Sequence, residues 1–107
     1  MNGIELIAAE RTRQVEVEGW TQEHDVEHED GCLATVAALY AIPPEARLAR
    51  CGPIKIDMVG LLWPQTWDEF WWKPSALDRI KELTKAGALI AAEIDRLQAQ
   101  PGGSGDE

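Results

Sequence analysis

The chain reads as an all-α protein, a small helical bundle of three main helices joined by an aromatic-rich linker. Three observations lead there. Apolar residues recur at spacings of three and four in three separate stretches, the signature of helices with one buried face. Proline and glycine fall between those stretches rather than inside them, with Gly87 the exception. Strand-like alternation is confined to Ile54, Ile56 and Met58, where Lys55 and Asp57 intervene.

The first helix is expected over residues 3–18. Ile4, Ala8, Arg11 and Val15 share a face, with Ile7 beside them and Arg11 interrupting the apolar stripe. Gly19 suits the left-handed position just past the helix end. Residues 20–29 form a polar, acidic connection. Asp30 is placed to cap a second helix over residues 31–41, with Leu33, Val36, Ala37 and Tyr40 inward and the slim side made of Ala34, Ala38 and Ala41. Pro43 and Pro44 stop it, because proline has no N–H and clashes with the preceding turn.

Beyond that stop, Pro44 opens a short helical turn toward Arg50. The alternation at 54–58 has no evident ladder partner, so a loop packing its apolar side down is expected. Residues 61–74 hold Trp63, Trp67, Phe70, Trp71 and Trp72 between Pro64 and Pro74, with a short helix expected over 65–72. The last helix is the clearest. Ser75 and Asp78 give an S-x-x-D start signal. Ile80, Leu83, Gly87, Ile90, Ile94 and Leu97 then recur at helical spacing, while Ala86, Gly87, Ala88, Ala91 and Ala92 admit a close neighbour. Gly87 costs about 1 kcal/mol relative to alanine in a helix interior, which close packing justifies. Residues 1–100 are expected to form one domain and residues 101–107 a disordered tail.

Composition narrows the functional classes. The 107 residues carry a formal net charge of −9. A field of that sign repels nucleic acid and anionic membranes and favours basic partners. Much of the imbalance lies in Glu16, Glu18, Glu23, Asp25, Glu27, Glu29 and Asp30, a stretch without Lys or Arg. The N-terminal ten residues lack the pattern of a signal peptide, and no apolar run approaches the ~20 residues of a membrane span. A cytoplasmic location, in a host cell, is the expectation. The two cysteines, Cys32 and Cys51, lie outside any CxxC spacing, and sequence leaves their pairing open.

Three groups carry potential chemistry. His24 and His28 are separated by four residues; on a helix both imidazoles would face one way, as two ligands of a divalent metal do. The bland alternative is a solvated acidic segment whose histidines offset its charge. The tryptophan group serves either as a stacking platform or protein hot spot, or as a plug that seals the linker onto thin, alanine-rich helices. Arg11, Arg13 and Lys73, with Trp71 and Trp72, suit a phosphorylated ligand; the alternative is ordinary surface pairing such as Asp78 with Lys81 and Glu82 with Lys85. There is no P-loop, no Gly-x-Ser-x-Gly and no GxGxxG, and Cys32 has no evident basic partner.

Over Glu10-Arg11-Thr12-Arg13-Gln14, Glu18-Gly19-Trp20-Thr21, Glu23-His24-Asp25, His28, Trp71-Trp72-Lys73-Pro74 and Lys85 to Leu97, the chain resembles a family of short phage and prophage proteins of unsettled function. The likeness covers nearly all of it outside residues 43–60 and the tail. More faintly, Arg13-Gln14, Gly19-Trp20 and His24 or His28 follow an order similar to that in MazG-like nucleoside triphosphate pyrophosphohydrolases. That family holds Mg²⁺ with a Glu-x-x-Glu motif on the following helix and a later Glu-x-x-Asp. Here residues 33–41 contain no carboxylate, and Glu93 and Asp95 stand two apart.

The leading expectation is therefore a non-enzymatic phage accessory protein, without a cofactor, that binds and inhibits a host component in the manner of an anti-CRISPR-like anti-defence factor. It would present Glu23, Asp25, Glu27, Glu29 and Asp30 to a host protein with a basic surface, with Trp71 and Trp72 as anchors and no direct contact with nucleic acid or membrane. The alternative is a MazG-like nucleotide-binding or nucleotide-hydrolysing protein, or one that sequesters a nucleotide signal. It would use Arg11, Arg13, Trp20, His24, His28 and Lys73, with a divalent metal where hydrolysis occurs. A helical homodimer built on the Ile80–Leu97 stripe is a further expectation.

Overall fold

A computed structural model describes residues 1–17, 31–65, 67–75 and 77–99. Its order is α1 (Gly3–Glu16), α2 (Cys32–Ala41), a 3-10 turn at Pro44–Ala46, β1 (Leu48–Cys51), β2 (Ile54–Asp57), α3 (Met58–Leu62), a 3-10 turn at Glu69–Trp71, and α4 (Arg79–Ala99). The protein is mostly helical with three main helices, as expected, but it also holds a small two-stranded sheet. The acidic stretch from Glu18 to Asp30 and the tail lie outside the described residues. Among the described residues no helix is long and apolar enough to cross a membrane.

Asn2 starts α1 with a capping box: its Oδ1 accepts the Glu5 N–H at 2.9 Å, and Glu5 Oε1 accepts the Asn2 N–H at 2.8 Å. The expected inner face of α1 is shifted. Ile4 is 81% exposed and Ala8 is exposed, while Gln14 is buried. On α2 the expected face holds: Leu33, Val36, Ala37 and Tyr40 are buried, and Ala34, Ala38 and Ala41 are outside. Gly31 stands at its start with φ +72°, the left-handed region glycine enters freely.

Residues 54–57 do find a ladder partner, contrary to the expected loop. They pair antiparallel with Leu48–Cys51 in the register Leu48↔Asp57 and Cys51↔Ile54. Gly52, at φ +63°, makes the tight two-residue turn. Asp57 then caps α3 by accepting the Val59 N–H, a helix the alternation hid. The expected helix over 65–72 shrinks to the 3-10 turn. Cys32 is buried and Cys51 exposed, and no disulfide joins them.

The core lies between α2 and α4. Leu33, Val36, Ala37 and Tyr40 meet Ala86, Leu89 and Ala92, and Trp63, Trp67 and Trp72 pack partly buried against that layer. The alanines let the helices come close, and the indoles fill the volume they leave. Trp63 meets Trp67 edge-on at 6.1 Å between centroids and Trp72 at 5.9 Å.

α4 presents its inner face differently from the expectation. Asp78 Oδ1 caps it by accepting the Lys81 N–H. Glu82, Ala86, Leu89, Ala92 and Arg96 are buried, whereas Ile80, Leu83, Ile90, Ile94 and Leu97 are exposed. Burial of two charged residues is tolerated because each is paired. Arg96 Nε meets Glu93 Oε1 at 2.6 Å. Glu82 pairs with neither Lys85 nor another surface cation. It binds Arg47 at 3.0 Å, Arg79 at 2.8 Å and the Ser75 N–H at 3.0 Å. Burial pushes the Glu82 carboxyl up, but these hydrogen bonds outweigh it and hold it below the usual range. The two guanidinium groups also donate to the carbonyls of Leu39, Tyr40 and Ala41, so they terminate α2 where its own hydrogen bonds run out.

Candidate functional site

A cleft opens where α1, α2, the aromatic segment and α4 converge. Its cavity holds about 40 Å³. α1 contributes Glu10, Arg13 and Gln14, which three- and four-residue spacing places on one face. α2 contributes Val36 and Tyr40, the aromatic segment Trp67, Trp71 and Lys73, and α4 Lys85 and Leu89.

The polar groups are held in a connected frame. Arg13 makes a bidentate pair with Glu10, both contacts at 2.8 Å. Gln14 Nε2 donates to Glu10 Oε2 at 3.4 Å. Tyr40 Oη accepts the Lys73 N–H at 2.9 Å and donates to the Trp71 carbonyl at 3.2 Å, which fixes the segment across the top of α2. Lys85 Nζ donates to the Lys73 carbonyl at 3.1 Å and lies 5.5 Å from the Tyr40 ring centroid. Lys73 Nζ lies 5.7 Å from the Trp71 ring centroid. Both are cation–π distances.

Two features set this cleft apart from an ordinary surface dip. Among the described residues it gathers three cations, Arg13, Lys73 and Lys85, against one carboxylate, although the chain as a whole is strongly acidic. Gln14 is only 2% exposed, yet its Oε1 has no hydrogen-bond partner. Turning the amide over would set oxygen against the Glu10 carboxylate, so the orphan acceptor belongs to the stable orientation. A buried acceptor left unmade costs about 1–3 kcal/mol, and a donor entering the cleft would recover that loss. Burial lowers the Lys85 ammonium pKa, as does repulsion from Lys81, against the attraction of Glu10. Burial raises the Glu10 carboxyl, but the Arg13 pair and Gln14 more than offset it and leave it lowered.

Of the residues singled out for a phosphorylated ligand, Arg13, Lys73 and Trp71 do come together. Arg11 points away, its Nε 3.8 Å from Asp95. Trp20, His24 and His28 lie outside the described residues, as do Glu23, Asp25, Glu27, Glu29 and Asp30. Trp72 is turned inward, 4.7 Å from the Tyr40 ring and under the Arg47 guanidinium at 5.1 Å, while Trp71 is 37% exposed at the mouth. Glu10, Gln14, Tyr40 and Lys85 were missed. Only the helical spacing of Glu10, Arg13 and Gln14 gave a local signal. Among the described residues no three His, Cys, Asp or Glu side chains cluster as a metal site requires. A second, open groove of about 470 Å³ lies between Asp57, Gly60, Trp63, Pro64, Glu69 and Trp72; it has aromatic walls and acidic edges but no cation.

The fold and this cleft define a mostly helical protein with a cationic, aromatic-flanked recess between its helices. Comparison with known protein families, with curated proteins and with solved structures found no match.

Proposed function

We propose that the protein is a non-catalytic binding protein whose ligand is a small anion carrying a planar ring, of the nucleotide class, held in the Arg13–Lys73–Lys85 cleft. The observation that carries this reading is the buried, partnerless Gln14 Oε1 at the base of a site with three cations. Lys73 and Lys85 would take the phosphate, Trp71 would stack on the ring, and Gln14 would accept a ligand N–H or O–H. Binding rather than hydrolysis is favoured because Glu10, the one carboxylate lining the cleft among the described residues, is already committed to Arg13. Capturing a nucleotide signal is one way a phage accessory protein disables a host defence, so this reading and the phage resemblance are compatible. The acidic stretch from Glu16 to Asp30 favours a second mode, docking on a basic host protein, and its charge-neutralised variant tests that separately.

The direct test is a thermal-shift panel of nucleoside mono-, di- and triphosphates and cyclic nucleotides, with the ligand recovered and analysed afterwards. A bound ligand at 100 times its Kd raises stability by about 2.7 kcal/mol. A saturable rise, lost in Lys85→Met and Gln14→Leu and with the ligand recovered intact, is expected. No rise with any member of the panel would dismiss the proposal.

A further inference from the structure

Trp67 lines two recesses, the cationic cleft and the open groove of about 470 Å³. In the groove the chemistry is reversed. Its walls are Trp63, Pro64 and Trp67, its charged groups are Asp57 and Glu69, and no Lys or Arg is among its described lining residues. Both carboxylates are exposed, and neither ion-pairs with another described residue. Asp57 Oδ1 accepts the Val59 N–H at 3.1 Å. Its Oδ2 lies 2.9 Å from where a Gly60 Cβ would stand, so glycine at that position keeps room for the second oxygen.

The indoles are held before any ligand arrives. Trp63 and Trp67 stand perpendicular with centroids 6.1 Å apart, and Trp63 Nε1 donates to the Trp67 carbonyl at 3.2 Å. Two half-buried rings at a right angle form a corner. Trp72 adds little to it, because the Arg47 guanidinium already lies over its ring and the Tyr40 ring lies 4.7 Å away. That guanidinium is neutralised by Glu82 at 3.0 Å, so it leaves the groove acidic.

An indole corner beside two unpaired carboxylates complements a cation with an apolar surface. Indole faces attract cations through the ring quadrupole. A bare metal ion fits poorly. Hard cations take about six oxygen ligands, and no three His, Cys, Asp or Glu side chains gather among the described residues. A primary ammonium is strongly hydrated, whereas alkyl groups spread the charge beneath a surface that packs on a ring. The volume suits a free small molecule, for which about 300–1,000 Å³ is typical. We propose that this groove binds a small alkylated ammonium ion, its charged head in the corner of Trp63 and Trp67 and its charge balanced by Asp57 and Glu69. The site is separate from the Arg13–Lys73–Lys85 cleft and stands whether or not that cleft takes a nucleotide.

Choline and its neutral isostere 3,3-dimethylbutan-1-ol test it, titrated at constant ionic strength while the indole N–H resonances are followed. Trp63 is the reporter, since it lines the groove and not the cleft. Choline should shift its signal saturably, and the neutral alcohol should bind about tenfold more weakly. Asp57→Asn retains an oxygen for the Val59 N–H, and Glu69→Gln alters an exposed side chain, so both should fold as wild type. Each should weaken choline about threefold, and the two together more. Lys85→Met should leave choline binding unchanged, and D57N/E69Q should leave nucleotide binding unchanged, so failure at one site is read apart from failure at the other. A Trp63 signal that ignores choline overturns the proposal. Equal binding of choline and the alcohol makes the groove a plain apolar slot and also overturns it, as does a D57N/E69Q protein that binds choline like wild type.

Discussion

Replacing Glu82 by Gln keeps the outline of the side chain and removes its charge. The carboxylate is fully buried and accepts from Arg47, Arg79 and the Ser75 N–H, all within 3.0 Å. Glutamine offers one acceptor oxygen and turns an NH₂ group toward a guanidinium. Removing one member of a buried ion pair costs about 3–5 kcal/mol. The low end applies here, because Arg47 and Arg79 keep the carbonyls of Leu39, Tyr40 and Ala41. At about 4–8 °C per kcal/mol for a domain of this size, a loss of about 3 kcal/mol lowers Tm by about 12–24 °C. The pH dependence is a second readout. The folded carboxyl titrates below the ordinary glutamate range. Its stabilisation is therefore complete above the unfolded pKa and disappears as pH falls through the folded one. Thermal melts of both proteins from about pH 7 to about pH 3 should show the gap between them closing on acidification. A loss under about 1 kcal/mol, the value of a typical hydrogen bond, or a gap that ignores pH, would refute the view that this node holds α2, the turn before β1 and α4 together.

Gly87→Ala should destabilise despite alanine's higher helix propensity, by about 1–3 kcal/mol of overpacking against Ile7, and Ile7→Ala should relieve it in the double variant; denaturant melts of the four proteins decide. Tyr40→Phe removes the acceptor of the Lys73 N–H and the donor to the Trp71 carbonyl, so a loss of about 1–3 kcal/mol with weakened ligand binding is expected by melting and titration. Because burial lowers the Lys85 pKa, ligand affinity should fall with rising pH before an exposed lysine would lose its proton; an affinity constant up to the ordinary lysine range would remove Lys85 from the site.

The main helices were legible because their signals are local. The inner face of α2 is a plain 3.6-residue pattern, and prolines mark its end. α4 shows where local reading stops. Its apolar stripe was visible, but which side faces inward was decided by partners far along the chain: Arg47 lies 35 residues from Glu82, and no spacing within the helix reveals it. β1 was hidden because Leu48, Ala49, Arg50 and Cys51 show no alternation, and β2 had no visible partner without it. The cleft was half legible. Arg13, Lys73 and Trp71 stood out by type, whereas Tyr40 looked like core and Lys85 like surface, and each is both: an apolar body packed inward with its polar tip in the recess.

Trp71 has an optical consequence. Of the described indoles it is the most open to water, and the other three are packed against the core. Its emission should lie to the red of theirs and respond to whatever settles beside Lys73. Phenylalanine at position 71 would silence that component alone, which gives the cleft a built-in reporter that needs no dye.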